Sequence, residues 1–218
     1  MYITSDQTKQ LQDLISGIEA RTGIELVAAV VGKCDSYPEI PWKAFALAAS
    51  VGALAYLAAA MTGTGWTAAA GTWQGPLIIL GAGSALALLS VFWPWLGRLF
   101  LDRLRAETEV EQYARAFFLE RELFRAGNRG GILVLASLFE RKAVILPDTG
   151  VAGRLDEKAL RNILEQMAPH LRRKERFQAF VQGLNALEAE LVKAGFGQGQ
   201  KTVNEIPDAV IQEKGEDR

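Results

Sequence analysis

Few side chains in this sequence are of types that do chemistry, and they are far apart. Asp35, Asp148 and Asp156 are the acidic residues nearest to turns. Carboxylates in that setting either ligate a divalent ion or accept hydrogen bonds from backbone amides at turns and helix starts, and the second use is the commoner one. His170 is the only histidine, so a serine hydrolase would have to rest on it. It follows Pro169 in a basic run with Arg172, Arg173 and Lys174, and the chain holds no G-x-S-x-G nucleophile turn. A solvated turn between helices is the expectation there. Cys34 is the only cysteine, which excludes an intrachain disulfide and a CxxC metal cluster. With no base nearby in sequence it reads as an inert thiol. Arg172, Arg173, Lys174 and Arg176 suit anionic lipid heads or simply solvent, Glu175 interrupting the cluster. Residues 195–199 are glycine-rich but have no strand before them and no helix after, so they do not form a phosphate loop.

The elements that must carry these residues are organised around residues 44–97, which contain no Asp, Glu, Lys, Arg or His. Two apolar blocks, 42–61 and 76–92, flank a small and neutral connection. Each with its flank reaches the roughly 20 residues needed to cross a hydrocarbon core, and a helix satisfies its own backbone in lipid. The expectation is a transmembrane hairpin at about 42–61 and 76–97. Lys33 and Lys43 precede it, Arg98, Arg103 and Arg105 follow it, and the connection carries no positive charge. By that bias both termini face the cytoplasm in a bacterial inner membrane, with Trp42, Trp93 and Trp95 at the interface. The polar start of the chain is unlike a cleavable signal.

Outside the hairpin the periodicities alternate between helix and strand. Thr4 and Gln7 have the spacing of a capping box, Leu11, Leu14, Ile15 and Ile18 form one helical face, and Gly23 is a stop. Residues 24–31 read as a strand buried on both faces. Residues 32–41, with Pro38 and Pro41, read as a stiff, extended connector. After the hairpin come a helix at 107–125, two short apolar runs at 132–136 and 143–146 forming a β-hairpin, and an Asp148, Thr149, Gly150 turn. A helix capped by Asp156 and ended by Pro169 follows, then a last helix at about 174–194. One helix and one strand cannot build a core before the membrane. The first strand must therefore join the later two, giving a split α/β domain of residues 1–41 and 106–196 with residues 42–101 inserted. If the first strand is parallel to 132–136, Asp35 and Asp148 lie at opposite edges of the sheet. The tail, 197–218, has the composition of disorder, although residues 206–211 are apolar enough to add as a strand to this sheet or a partner's.

The order of these elements, with Thr22, Gly23, Ile24, Glu25 and Leu26 in the first strand, Gly130 to Val134 in the second, Glu140 to Val144, and Asp148, Thr149 and Gly150, resembles the TPM domain. The resemblance covers about residues 5–35 and 107–195, and Asn204 to Asp208 resembles the tail of a bacterial membrane branch in which a transmembrane pair interrupts the domain. It implies an α-β-α sandwich with a small mixed sheet, a divalent-ion site at acidic loop positions, and phosphatase activity for some members. Carried onto this chain, the metal positions are Asp148 and Asn128, with Gly150 in the acidic-glycine turn. An amide stands at Asn128 where the family commonly has Asp, and Arg129 beside it opposes a cation. Two such groups make a poor cage for Ca²⁺ or Mg²⁺. The residues themselves call for no cofactor. The formal net charge of −1 points away from nucleic acid. The expected partners are the lipid bilayer and a membrane protein, the expected role is a non-catalytic interaction or assembly module, and the competing role is a metal-dependent phosphatase.

Overall fold

The computed structural model describes residues 2–61, 73–125, 129–197 and 210–215. The chain divides into two compact units: residues 1–36 with 106–218, and residues 37–105.

The first unit is a mixed α/β layer structure. Helix α1, Ser5–Thr22, starts with the expected capping box: the Thr4 side chain takes the Gln7 N–H, and the Gln7 side chain returns to the Thr4 N–H. It ends at Gly23, whose φ of +69° favours a residue without Cβ. Strand β1, Glu25–Val31, follows at once. Helix α5, Arg103–Glu120, leads to strands β2, Gly131–Ser137, and β3, Lys142–Pro147. The short helix α6, Thr149–Ala152, precedes α7, Glu157–Arg172, and α8, Arg176–Lys193. Strand β4, Val210–Glu213, completes a sheet of order β3-β2-β1-β4. β1 runs parallel to β2, with Glu25 opposite Gly131 and Val31 opposite Ser137, and parallel to β4; β2 and β3 are antiparallel.

Every residue of β1 and β2 is buried, because helices cover both faces. On one face Leu26, Ala28, Val30, Ile132 and Val134 meet Ile15 and Ile18 of α1, Met167 of α7 and Phe180 and Leu184 of α8. On the other, Val27, Ala29, Leu133 and Leu135 meet Val110, Ala114 and Phe117 of α5.

Three local expectations are corrected. Pro169 does not end α7, which continues to Arg172. Leu171 is buried in the core, and burying a leucine is worth about 2 kcal/mol, which offsets most of the roughly 3 kcal/mol that a proline inside a helix costs. The Asp148 turn opens a helical turn, α6, rather than a loop. The tail is not disordered throughout. α8 closes in a Schellman motif, Phe196 N–H to the Leu191 carbonyl and Gly195 N–H to Val192, with Gly195 at φ +79°. That turn folds Phe196 into the core, under the Arg154 guanidinium at 3.9 Å. Val210–Glu213, within the stretch whose composition suggested disorder, pairs with β1.

In the second unit α2, Glu39–Met61, and α3, Gln74–Phe92, pack on each other. α2 begins earlier than expected: Pro41 lies in its first turn, where an N–H has no intrahelical partner to lose, so the connector is shorter than residues 32–41. Pro94 ends α3 and opens the short α4, Pro94–Gly97. The helices meet at glycines: a Cβ on Gly83 would lie 2.8 Å from the Phe45 ring, and one on Gly75 2.9 Å from the Tyr56 ring.

Candidate functional site

The register of the sheet brings two carboxylates to one end of it. β1 and β2 begin there and β3 ends there. The Asp148 N–H donates to the Gly131 carbonyl at 2.8 Å, extending the β2–β3 ladder by one step. Glu25 stands opposite Gly131 on the other side, and its own N–H donates to the Gly130 carbonyl at 3.0 Å. Side chains in one row across a sheet share a face, so Glu25 and Asp148 both project toward the α5 layer. They flank Gly131, which has no side chain, and neighbouring strands put their backbones about 10 Å apart. Both are buried, at 4 % and 7 % exposure.

Asp148 caps α6. Its Oδ1 accepts the Thr149 N–H at 2.6 Å and lies 3.3 Å from the Thr149 hydroxyl. Its Oδ2 is buried without a hydrogen-bond partner among the described residues. Gly150, the second residue of α6, is exposed. Asn128 lies outside the described residues. Arg129 is exposed, with a left-handed backbone at φ +55°. Among the described residues no three His, Cys, Asp or Glu side chains converge. Glu25 has no place in the sequence-based site because it reads as one more residue of an apolar strand. The available signal was its charge at the head of that strand; its placement beside Asp148 depends on pairing with a segment about a hundred residues later.

The other candidates lie elsewhere, engaged locally. Asp35 follows the far end of β1, so it and Asp148 occupy opposite edges of the sheet, and it accepts the Ser36 N–H at 2.7 Å. Asp156 caps α7 through the Lys158 N–H at 3.0 Å. Cys34 is buried, and its backbone N–H donates to Glu140 Oε1 at 3.0 Å, while the Ser137 hydroxyl donates to the other Glu140 oxygen. Burial first, and the Glu140 charge second, push the Cys34 thiol far above the usual range, which removes the thiolate that a nucleophile needs. His170 sits in the last turn of α7 between Glu175 and Gln182, each 2.8 Å from a ring nitrogen, and ties α7 to α8. Of the basic run, Arg172, Arg173 and Lys174 are exposed, and Arg176 donates to the Tyr2 carbonyl at 2.8 Å.

Residues 99–190 match the family model of the TPM domain. Among solved structures, the NMR structure of BA42 protein from the psychrophilic bacterium Bizionia argentinensis is similar at a TM-score of 0.58 and 12 % identity, over 97 % of this chain and 96 % of that one. At that identity the likeness speaks for the fold. No curated protein matches the chain.

Proposed function

Residues 99–190 carry a TPM domain, and from that premise we propose that the α/β unit is an interaction or assembly module tethered to a bacterial inner membrane by the α2–α3 hairpin. The observation that carries the reading is the environment of the two helices. Leu47, Val51, Leu54 and Leu57 on α2 and Leu77, Leu80, Leu88 and Val91 on α3 are exposed. Only 6 % and 17 % of their most apolar windows is buried by protein. A core helix of a soluble protein would be covered, and water does not tolerate an apolar surface of this extent. At 1.5 Å per residue the helices are about 34 and 28 Å long, matching a hydrocarbon core of about 30 Å. Lys43, Arg98 and Arg103 at one end favour a cytoplasmic location for both termini. The interaction role draws on the state of the reactive side chains: Cys34 is held protonated, His170 bridges two helices, and Asp35 and Asp156 hold backbone amides. Alkaline carbonate extraction of membranes tests the anchor, and recovery of the full chain in the supernatant would overturn it. Reporter fusions at the C-terminus test orientation, activity of a periplasm-specific reporter being the contrary result.

A metal-dependent phosphatase is the second reading, favoured by Asp148 Oδ2, which has no hydrogen-bond partner among the described residues, and by Glu25 on the same face. Two carboxylates do not make a Ca²⁺ cage, but Mg²⁺ keeps several waters and is commonly held by one or two carboxylates, so the donor set fits a hydrated Mg²⁺. Asp148 and Glu25 would hold it, and the ion would supply charge neutralisation at a phosphate ester. Turnover of p-nitrophenyl phosphate that needs a divalent ion and is lost in Asp148→Ala would put this reading first.

A further inference from the structure

β4 is held on the sheet by parallel main-chain pairing with β1, continued by the Gly32 N–H to the Glu213 carbonyl at 3.0 Å, and by its side chains. Val210, Ile211, Gln212 and Glu213 stand opposite Ala28 to Val31 and are half-buried. Val210 packs on the α1 side of the sheet and Ile211 on the α5 side. The Gln212 amide uses both ends: Oε1 accepts the N–H groups of Tyr2 at 2.7 Å and Ile3 at 3.1 Å, and Nε2 donates to the Ile3 carbonyl at 3.3 Å and to the Thr8 hydroxyl at 3.2 Å. On the other face Glu213 pairs with Arg121 and accepts the Tyr113 hydroxyl at 3.4 Å. The edge of β1 therefore offers a groove that reads four residues in order: apolar, apolar, amide, carboxylate.

Residues 198–209 connect Gly197 to that groove. Gly197 lies against the end of α1, where a Cβ would come within 2.5 Å of the Arg21 carbonyl. From the end of α1 to Ala28 is about six residues of extended chain, roughly 20 Å, whereas residues 198–209 can span about 40 Å. That length exceeds what the distance requires, so the contacts of the groove itself select the strand.

We propose that the β1 edge between Tyr2 and Arg121 is a strand-acceptor site, filled here by the chain's own Val210–Glu213, which an extended segment of a partner protein carrying two apolar residues followed by Gln and Glu displaces. The proposal rests on the interaction-module reading and names its partner class, since strand addition gives affinity through the main chain and specificity through alternate side chains.

The test uses the full chain in detergent, a chain truncated after residue 209, and a fluorescein-labelled peptide of residues 208–215. The tethered strand competes at high effective concentration, so the truncated chain binds the peptide at least about tenfold tighter than the full chain does. Arg121→Ala in the truncated chain weakens binding at least about fivefold, as does Gln→Ala at the third groove position of the peptide. A truncated chain with native near-UV circular dichroism that does not bind, or that binds indifferently to Arg121→Ala, overturns the proposal. So does concentration-dependent dimerisation of the full chain through exchanged strands, which assigns the groove to a second copy. Should truncation abolish folding, hydrogen exchange on the intact chain decides. Faster exchange of residues 210–213 than of β2 by at least about a hundredfold, rising further in Gln212→Ala, supports a displaceable strand, and exchange of the two together refutes it. Membrane pelleting of the same samples reports separately on the anchor, so loss of peptide binding with pelleting intact sinks this inference alone.

Discussion

Glu140 is the buried carboxylate that holds the far end of the sheet together, and removing it should release Cys34. One oxygen accepts the Cys34 N–H at 3.0 Å and the other the Ser137 hydroxyl, with all three residues buried. Glu140→Ala leaves two buried donors without acceptors. Each orphan costs about 1–3 kcal/mol, the hydroxyl at the low end because it can turn, so the local opening free energy falls by about 3 kcal/mol. Since Cys34 is the only cysteine, labelling of the intact chain in detergent reads that opening directly. At about 1.4 kcal/mol per decade, a thiol reagent at pH 8 should modify the variant on the order of a hundredfold faster than the parent chain. The Glu140 charge also contributes to the raised thiol pKa, second to burial, but both influences vanish in the open state through which labelling passes. Glu140→Gln is the control. Its amide oxygen takes the Cys34 N–H and its NH₂ group donates to the Ser137 oxygen, so labelling should stay within about fivefold of the parent. Equal rates for Glu140→Ala and the parent, or equally fast labelling of both variants, would refute the reasoning.

The raised Cys34 pKa also predicts a pH dependence. The folded chain keeps a proton that the unfolded chain gives up, so this contribution is complete below about pH 8.5 and is lost as pH rises, by up to about 1.4 kcal/mol per unit. Denaturation midpoints between pH 8 and 10 should fall, and Cys34→Ala should flatten that fall. Above about pH 10 Tyr113 adds a second loss, because burial and then Glu213 push its phenol up to about 12. Gly195→Ala places a Cβ on a backbone at φ +79° and should cost about 1–2 kcal/mol, seen as a lower thermal midpoint. Leu54→Arg, on the exposed side of α2, should cost about 2.5–3.5 kcal/mol if that side faces lipid and reduce the membrane-inserted fraction. Were the side to face water, the change would stay within about 0.5 kcal/mol.

What was legible in the sequence is what local pattern determines. Thr4 and Gln7 sit three residues apart and make their capping box through local contacts. The absence of charge across 44–97 marks the apolar helices without reference to the rest of the chain, and the unbroken apolar run of 26–31 requires a layer on each face. What was not legible depends on partners distant in sequence. Pro169 is a helix stop by its own chemistry, and α7 runs past it because Leu171 finds the core. Gln212 reads as one more polar residue in a charged tail until Tyr2, Ile3 and Thr8 are placed beside it. Glu25 acquires its meaning from Gly131 and Asp148, through a register that no window of the sequence contains.

The insertion of the apolar unit into the β1–β2 connection is tolerable for a reason visible within that unit. A parallel pair needs a crossover in any case, and lengthening a flexible crossover roughly threefold adds only about 1 kcal/mol of closure entropy. Even that is an upper bound when the insertion brings its own ends together. The Lys43 ammonium donates to the Phe100 carbonyl at 3.2 Å, and Arg105 pairs with Glu39 at 3.3 Å, so the unit begins and ends at neighbouring points. To the sheet it behaves as a short loop, and the register that sets Glu25 beside Gly131 and Asp148 does not depend on what the hairpin is dissolved in. The α/β core therefore keeps its pairing through Ile132 to Ala136 against β1 whatever surrounds the hairpin, while α2 and α3 pack on each other at their glycine seats.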